Sequence, residues 1–237
     1  MRRTKLLLLL AIVMMLGAAY GLSALGLDVE LKGGGGLAMG TTDDSNKSGE
    51  VRYALSAGLS LDFYLLELGR LSLGLSGGAG YANLHYHGVW ENFPNPAPPP
   101  VTVTQTSDST YNYIFFPVAV VGKLAVGSSH SLTLRGGGFA GYFLSGTSDL
   151  TYNPEVPFVL VNGEQPLDDT NTEQWMYGLS FYAGMDLLGK GRLSIVPSLE
   201  LNLGLTDTTI DLPFPPASKD TFWALTANVG IRYSLLK

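Results

Sequence analysis

The chain has 237 residues, no cysteine and a formal charge of −6, and only 14% of its residues are charged against 46% hydrophobic. About 25% charged is usual for a soluble domain, so this surface is not built for water alone. The missing cysteine excludes a disulfide framework, a thiolate metal site and a lipidated N-terminal cysteine, and an acidic chain without a basic patch excludes nucleic-acid binding.

In chain order, Arg2, Arg3 and Lys5 come first, then an unbroken apolar run from Leu6 to Leu16. Small residues follow: Gly17, Ala18, Ala19, Gly21, Ser23, Ala24 and Gly26. This is the pattern of a secretory signal peptide, read as residues 1–26 with cleavage between 21 and 26. The run is short of the roughly 20 residues of a spanning helix, which favours removal over an uncleaved anchor. Its loss would take three basic and no acidic residues, leaving a formal charge of −9 on residues 27–237.

The mature chain carries eight segments with period-two alternation, the mark of strands with two unlike faces. They run over 27–40, 50–66, 71–88, 111–126, 131–147, 174–187, 193–206 and 221–236. The first holds Gly33 to Gly36; no Lys-Ser or Lys-Thr follows, so this is not a phosphate loop. Thirty glycines in all, many inside apolar stretches, argue against helices. In the second segment Val51, Tyr53, Leu55, Ala57, Leu59, Leu61 and Phe63 alternate with Arg52, Ala54, Ser56, Gly58, Ser60 and Asp62. The third and seventh segments repeat the pattern.

Connections alternate too. Those after segments two, four and six are tight: Leu68-Gly69-Arg70, Gly127 to His130 and Leu188 to Arg192. Those after one, three, five and seven are long and polar, among them a tract with Pro94, Pro96, Pro98, Pro99 and Pro100 and another with Pro213, Pro215 and Pro216. Short-long alternation puts every long loop at one end of an all-β, eight-stranded antiparallel up-and-down transmembrane β-barrel. In lipid no water can satisfy a free strand edge, so the first and last strands are expected to pair.

Gly, Ser and Ala dominate the polar face, which suits the interior of a narrow barrel; a water-facing surface would carry more Lys and Glu. The few charges on that face are read as a lumen network: Glu30, Lys32, Arg52, Asp62, Lys123, Arg135, Asp186, Glu200 and Arg232. Burial demands that they pair. The other face is apolar at mid-segment and meets lipid. Tyr53, Phe63, Tyr81, Tyr111, Tyr113, Trp175, Tyr177, Trp223 and Tyr233 fall near segment ends and are read as girdles at the headgroup boundary.

Three stretches carry a family resemblance. Tyr113 to Lys123 is similar to an aromatic-Ile-Pro strand running to a lysine, and Gly136 to Leu144 to the glycine-rich strand after it. Asn228 to Leu235, with Gly230, Tyr233 and Leu235 at the key positions, resembles the terminal signal read by the barrel assembly machinery. The chain thus resembles the small eight-stranded outer-membrane proteins of the OmpX and OmpA-barrel type, and within them the PorT-like outer membrane protein beta-barrel domain group. It departs from many members in ending Leu235-Leu236-Lys237 rather than in Phe. The resemblance implies a place in the outer membrane of a diderm bacterium, with outer-membrane lipid and the assembly machinery as partners. The group includes structural proteins and adhesins, so it does not fix a role.

Chemistry is sparse. His85-x-His87 puts two imidazoles on one face, too few for a closed zinc site, and His130 sits in a tight turn. No nucleophile elbow is present. The expectation is a non-enzymatic, porin-like barrel without cofactor or metal, with a structural or surface-interaction role through its extracellular loops and an extracellular ligand held there. The alternatives are a narrow transport barrel for small or apolar solutes and, behind it, a lipid-modifying enzyme using His85 or His87.

Overall fold

The computed structural model describes residues 26–42, 44–93, 102–127, 130–155, 162–168, 172–190, 192–208 and 220–236. Residues 1–25 of the stretch read as an export signal and both proline-rich tracts lie outside these residues. Ten strands form one antiparallel sheet: β1 (Gly26–Thr42), β2 (Lys47–Glu50), β3 (Arg52–Leu68), β4 (Leu71–Phe93), β5 (Val103–Val126), β6 (His130–Asn153), β7 (Gly163–Leu167), β8 (Trp175–Lys190), β9 (Leu193–Gly204) and β10 (Asp220–Leu236). Eight of them close a ring in the order β1-β3-β4-β5-β6-β8-β9-β10 and back to β1. The first and last strands pair from Leu27 with Leu236 up to Thr42 with Asp220. Closure satisfies the edges that lipid could not.

Side-chain direction follows the alternation. On the outer face Leu31, Val118, Val120 and Val229 each leave more than 60% of their surface exposed, within a belt of Leu, Ile and Phe. Such a belt is a liability in water and the expected surface in lipid. At the short-turn end Gly69 and Gly127 adopt φ of 66° and 73°, a left-handed conformation that L side chains resist and that these tight reversals need.

The structure corrects three expectations. First, β4, β5 and β6 run well past the segments drawn from alternation, over 23, 24 and 24 residues, and β2 and β7 occupy stretches read as loop. The extensions are rich in Ser and Thr, as in Thr104 to Thr110 and Thr147 to Thr151. Beyond the membrane the outer face meets water instead of lipid, so hydrophobic period two fades while ladder pairing continues.

Second, Tyr111 and Tyr113 are not girdle residues: they are 8% and 0% exposed and point into the barrel. Lys123, assigned inward, shares their odd parity on β5, which is the signal that could have placed them. A bulge sits opposite. Asn112 pairs with Ser145 but Tyr113 with Phe143, so Leu144 is the extra residue on β6. Below it Phe139 and Phe143 face inward; above it Ser148 does. Third, Arg52 stands outside the lumen network, as described below.

Two rungs are missing. The β4–β5 ladder passes from Gly77–Val118 to Gly80–Phe115, skipping the Gly78–Pro117 and Ala79–Phe116 rungs. Pro117 has no N–H to donate, and its other side still pairs with β6.

Candidate functional site

The lumen holds two layers. The lower, toward the short turns, is ionic. Glu30 on β1 and Arg232 on β10 are fully buried. Arg135 and Arg232 each donate an Nη2–H to Glu30 Oε2, at 2.6 and 2.7 Å, and the Tyr182 hydroxyl donates to Glu30 Oε1 at 2.6 Å. Arg135 also grips Asp62 with two parallel bonds of 2.9 and 2.7 Å, the fork geometry that suits guanidinium to carboxylate. Arg232 Nη1 donates to Asp186 at 2.9 Å and to Thr133 at 2.7 Å. Lys123 donates to Asp28 at 2.6 Å and lies 3.5 Å from Asp186. Lys32 pairs with Glu200. The Tyr182 ring carries the Arg135 guanidinium 4.1 Å from its centroid and the Lys32 ammonium 4.9 Å away.

The structure therefore brings together eight of the nine residues read from the sequence. Arg52 is the exception. Its side chain is 41% exposed at the long-loop end, 3.3 Å from Glu50 and 3.9 Å from Asp108. It shares the inward parity of β3 but stands at that strand's first residue, beside a one-residue register step between the β2–β4 and β3–β4 ladders. Its guanidinium turns to Glu50 and Asp108, which share the outer face with His87. Asp28 was missed, although it shares parity with Glu30 and Lys32. With Asp28 in and Arg52 out, the carboxylates Asp28, Glu30, Asp62, Asp186 and Glu200 face the cations Lys32, Lys123, Arg135 and Arg232.

The upper layer is apolar and aromatic. Tyr111, Tyr113, Phe139, Phe143, Met176 and Phe222 pack with Leu84 and four alanines. Ring centroids lie 5.6 Å apart for Tyr113–Phe143 and 5.0 Å for both Phe115–Phe139 and Tyr111–Phe222. The reading of the lumen as small residues missed this layer. Between the layers a cavity of about 60 Å³ remains, room for ordered water rather than for a solute.

The histidines face outward on β4. His85 stacks on Tyr53 at 3.7 Å and bonds Asn83 and Thr110; His87 bonds Asp108 at 2.6 Å. No serine hydroxyl bonds either ring, and no cluster of three or more potential metal ligands forms, among the described residues. His130 Nδ1 lies 3.3 Å from the Asp186 carbonyl.

On the terminal strand Gly230 faces inward between Lys32 of β1 and Val196 of β9. A Cβ there would lie 3.1 Å from Glu30 Oε1 and 3.2 Å from the Leu31 carbonyl. Tyr233 and Leu235 face outward, 41% and 42% exposed.

The family described as "Outer membrane protein beta-barrel domain" matches residues 17–209. The chain belongs to this family. It is a protein of the bacterial outer membrane, and its belt is the lipid-facing surface. The match names the family and not the PorT-like subgroup. No curated protein matches. Among solved structures the chain is similar to Neisserial surface protein A (9% identity, 87% of this chain and 96% of that one, TM-score 0.42). It is similar also to OprG from Pseudomonas aeruginosa (9%, 90% and 98%, 0.47) and to Ail, the attachment invasion locus protein of Yersinia pestis (12%, 88% and 99%, 0.36).

Proposed function

We propose that the protein is a non-enzymatic outer-membrane barrel that acts by surface contact at its extracellular end, with the lumen serving as a structural core. Barrels of this kind turn their short connections to the periplasm and their long ones outward. The observation that carries the reading is the three-strand extension of β4, β5 and β6, flanked by β2 and β7, which projects a sheet beyond the belt. Both lumen layers contain fully buried side chains, Arg232 and Glu30 below and Tyr113 above, which speaks against the narrow transport alternative. His85 bonds Asn83 and Thr110 while His87 bonds Asp108; among the described residues neither ring joins a hydroxyl to a carboxylate, which speaks against lipid-modifying chemistry. Gly230, Tyr233 and Leu235 are the residues we assign to recognition by the barrel assembly machinery.

The test replaces residues 88–107, whose ends Gly88 and Ser107 pair across the ladder, by a tight turn. The variant should still reach the outer membrane and still shift in gel mobility on heating. Cells carrying it should lose attachment to surfaces that the wild type supports. Unchanged attachment would overturn the reading.

A further inference from the structure

The extended strands enclose a cup at the extracellular mouth, and we infer that it binds the terminal, uncharged ring of a glycan. The inference rests on the surface-contact reading and names the ligand class for it. The cup holds about 200 Å³, below the usual range of about 300–1,000 Å³ for drug-sized ligands, so it takes one small ring and not a chain. Its floor is closed: Tyr111, 8% exposed, belongs both to the cup wall and to the aromatic layer beneath. Among the described residues the aromatic layer bars the way from the lumen side, so the cup faces outward.

The lining has two chemistries side by side. Trp90, Tyr86 and Tyr111 supply ring surface, which matches the C–H faces of a sugar. Ser109 and Ser148, joined by a 2.7 Å hydrogen bond, supply hydroxyls, and Gln105 an amide. Lys47 and Asp220, 3.3 Å apart, put a cationic donor and an anionic acceptor on the same wall. Lys47 also sits 4.3 Å from the Trp90 ring centroid, which fixes both side chains. A lipid tail would strand these polar groups, and burying them without partners is costly. An anion would meet a lysine already neutralised by Asp220. A ring with apolar faces and a rim of hydroxyls satisfies all of them.

The arrangement escaped the sequence reading because its walls lie in the extended parts of β4, β5 and β6. There Tyr86, Gly88 and Trp90 on β4 share the inward face with Gln105, Ser107 and Ser109 on β5.

The test applies the purified full chain in detergent to an array of glycans ending in neutral, N-acetylated or anionic sugars, followed by titration with the strongest binder. Binding to a neutral or N-acetylated terminus is expected. Trp90→Ala should weaken it at least tenfold and Gln105→Ala severalfold, with the heat-induced gel shift kept in both. No binding on the array, binding only to anionic termini, or equal binding by both variants would each overturn the inference. Attachment of cells to bare and glycan-coated surfaces separates this failure from that of the wider reading. Attachment that needs residues 88–107 but not Trp90 or Gln105 leaves surface contact standing and removes the glycan. Attachment indifferent to all three removes both.

Discussion

Arg232 touches Glu30, Asp186 and Thr133 at once and has no exposed surface. A buried ion pair adds little over a well-packed apolar replacement, but removing one partner strands the other. Arg232→Met should therefore cost about 3–5 kcal/mol, read as a lower urea midpoint in detergent micelles. Replacing Glu30, Asp62, Asp186, Arg135 and Arg232 together by apolar residues of like volume should cost far less than the sum of the single changes. Tyr113 poses the opposite case. Its hydroxyl is buried without a hydrogen-bond partner among the described residues, and an unsatisfied buried group costs about 1–3 kcal/mol. Tyr113→Phe should leave stability unchanged or raise it by up to about 1 kcal/mol, whereas Tyr113→Ala should open a void at about 3–5 kcal/mol.

At the scale of the strand, Pro117 removes one donor from the β4–β5 ladder inside the belt. Pro117→Val restores the N–H opposite Gly78 and should stabilise the barrel by about 0.5–1.5 kcal/mol, measured by the same unfolding curve. What the alternation could and could not disclose also belongs here. Where one face meets lipid and the other a crowded lumen, period two is sharp, and β1, β3, β9 and β10 lie close to the segments read from it. Inside the lumen, Lys32, Lys123 and Arg135 could be placed because a charge cannot face hydrocarbon at mid-depth. Tyr111 and Tyr113 could not be placed from their type, because aromatics suit both an interface and a core. Parity with Lys123 alone sorts them. The upper parts of β4, β5 and β6 left little hydrophobic alternation, since their outer face meets water instead of lipid. Leu144 defeats any reading that counts alternation straight through, because one inserted residue reverses the faces above it.

For the whole molecule, the two lumen layers divide the labour. The ionic layer ties β1 to β10, β8 and β6 across the barrel, through Glu30 with Arg232, Tyr182 and Arg135. The aromatic layer caps it toward the mouth and floors the extracellular cup. On the reading proposed above, a barrel filled in this way is a rigid pedestal for a projecting sheet, with the buried Glu30, Arg232 and Tyr113 across its axis. Single-channel recording of the full chain in a planar bilayer tests this most directly. The filled lumen predicts no reproducible conductance steps at any applied voltage, in the wild type and in Tyr113→Phe alike. Steps of a fixed size that recur across preparations would contradict it and return the transport reading to first place.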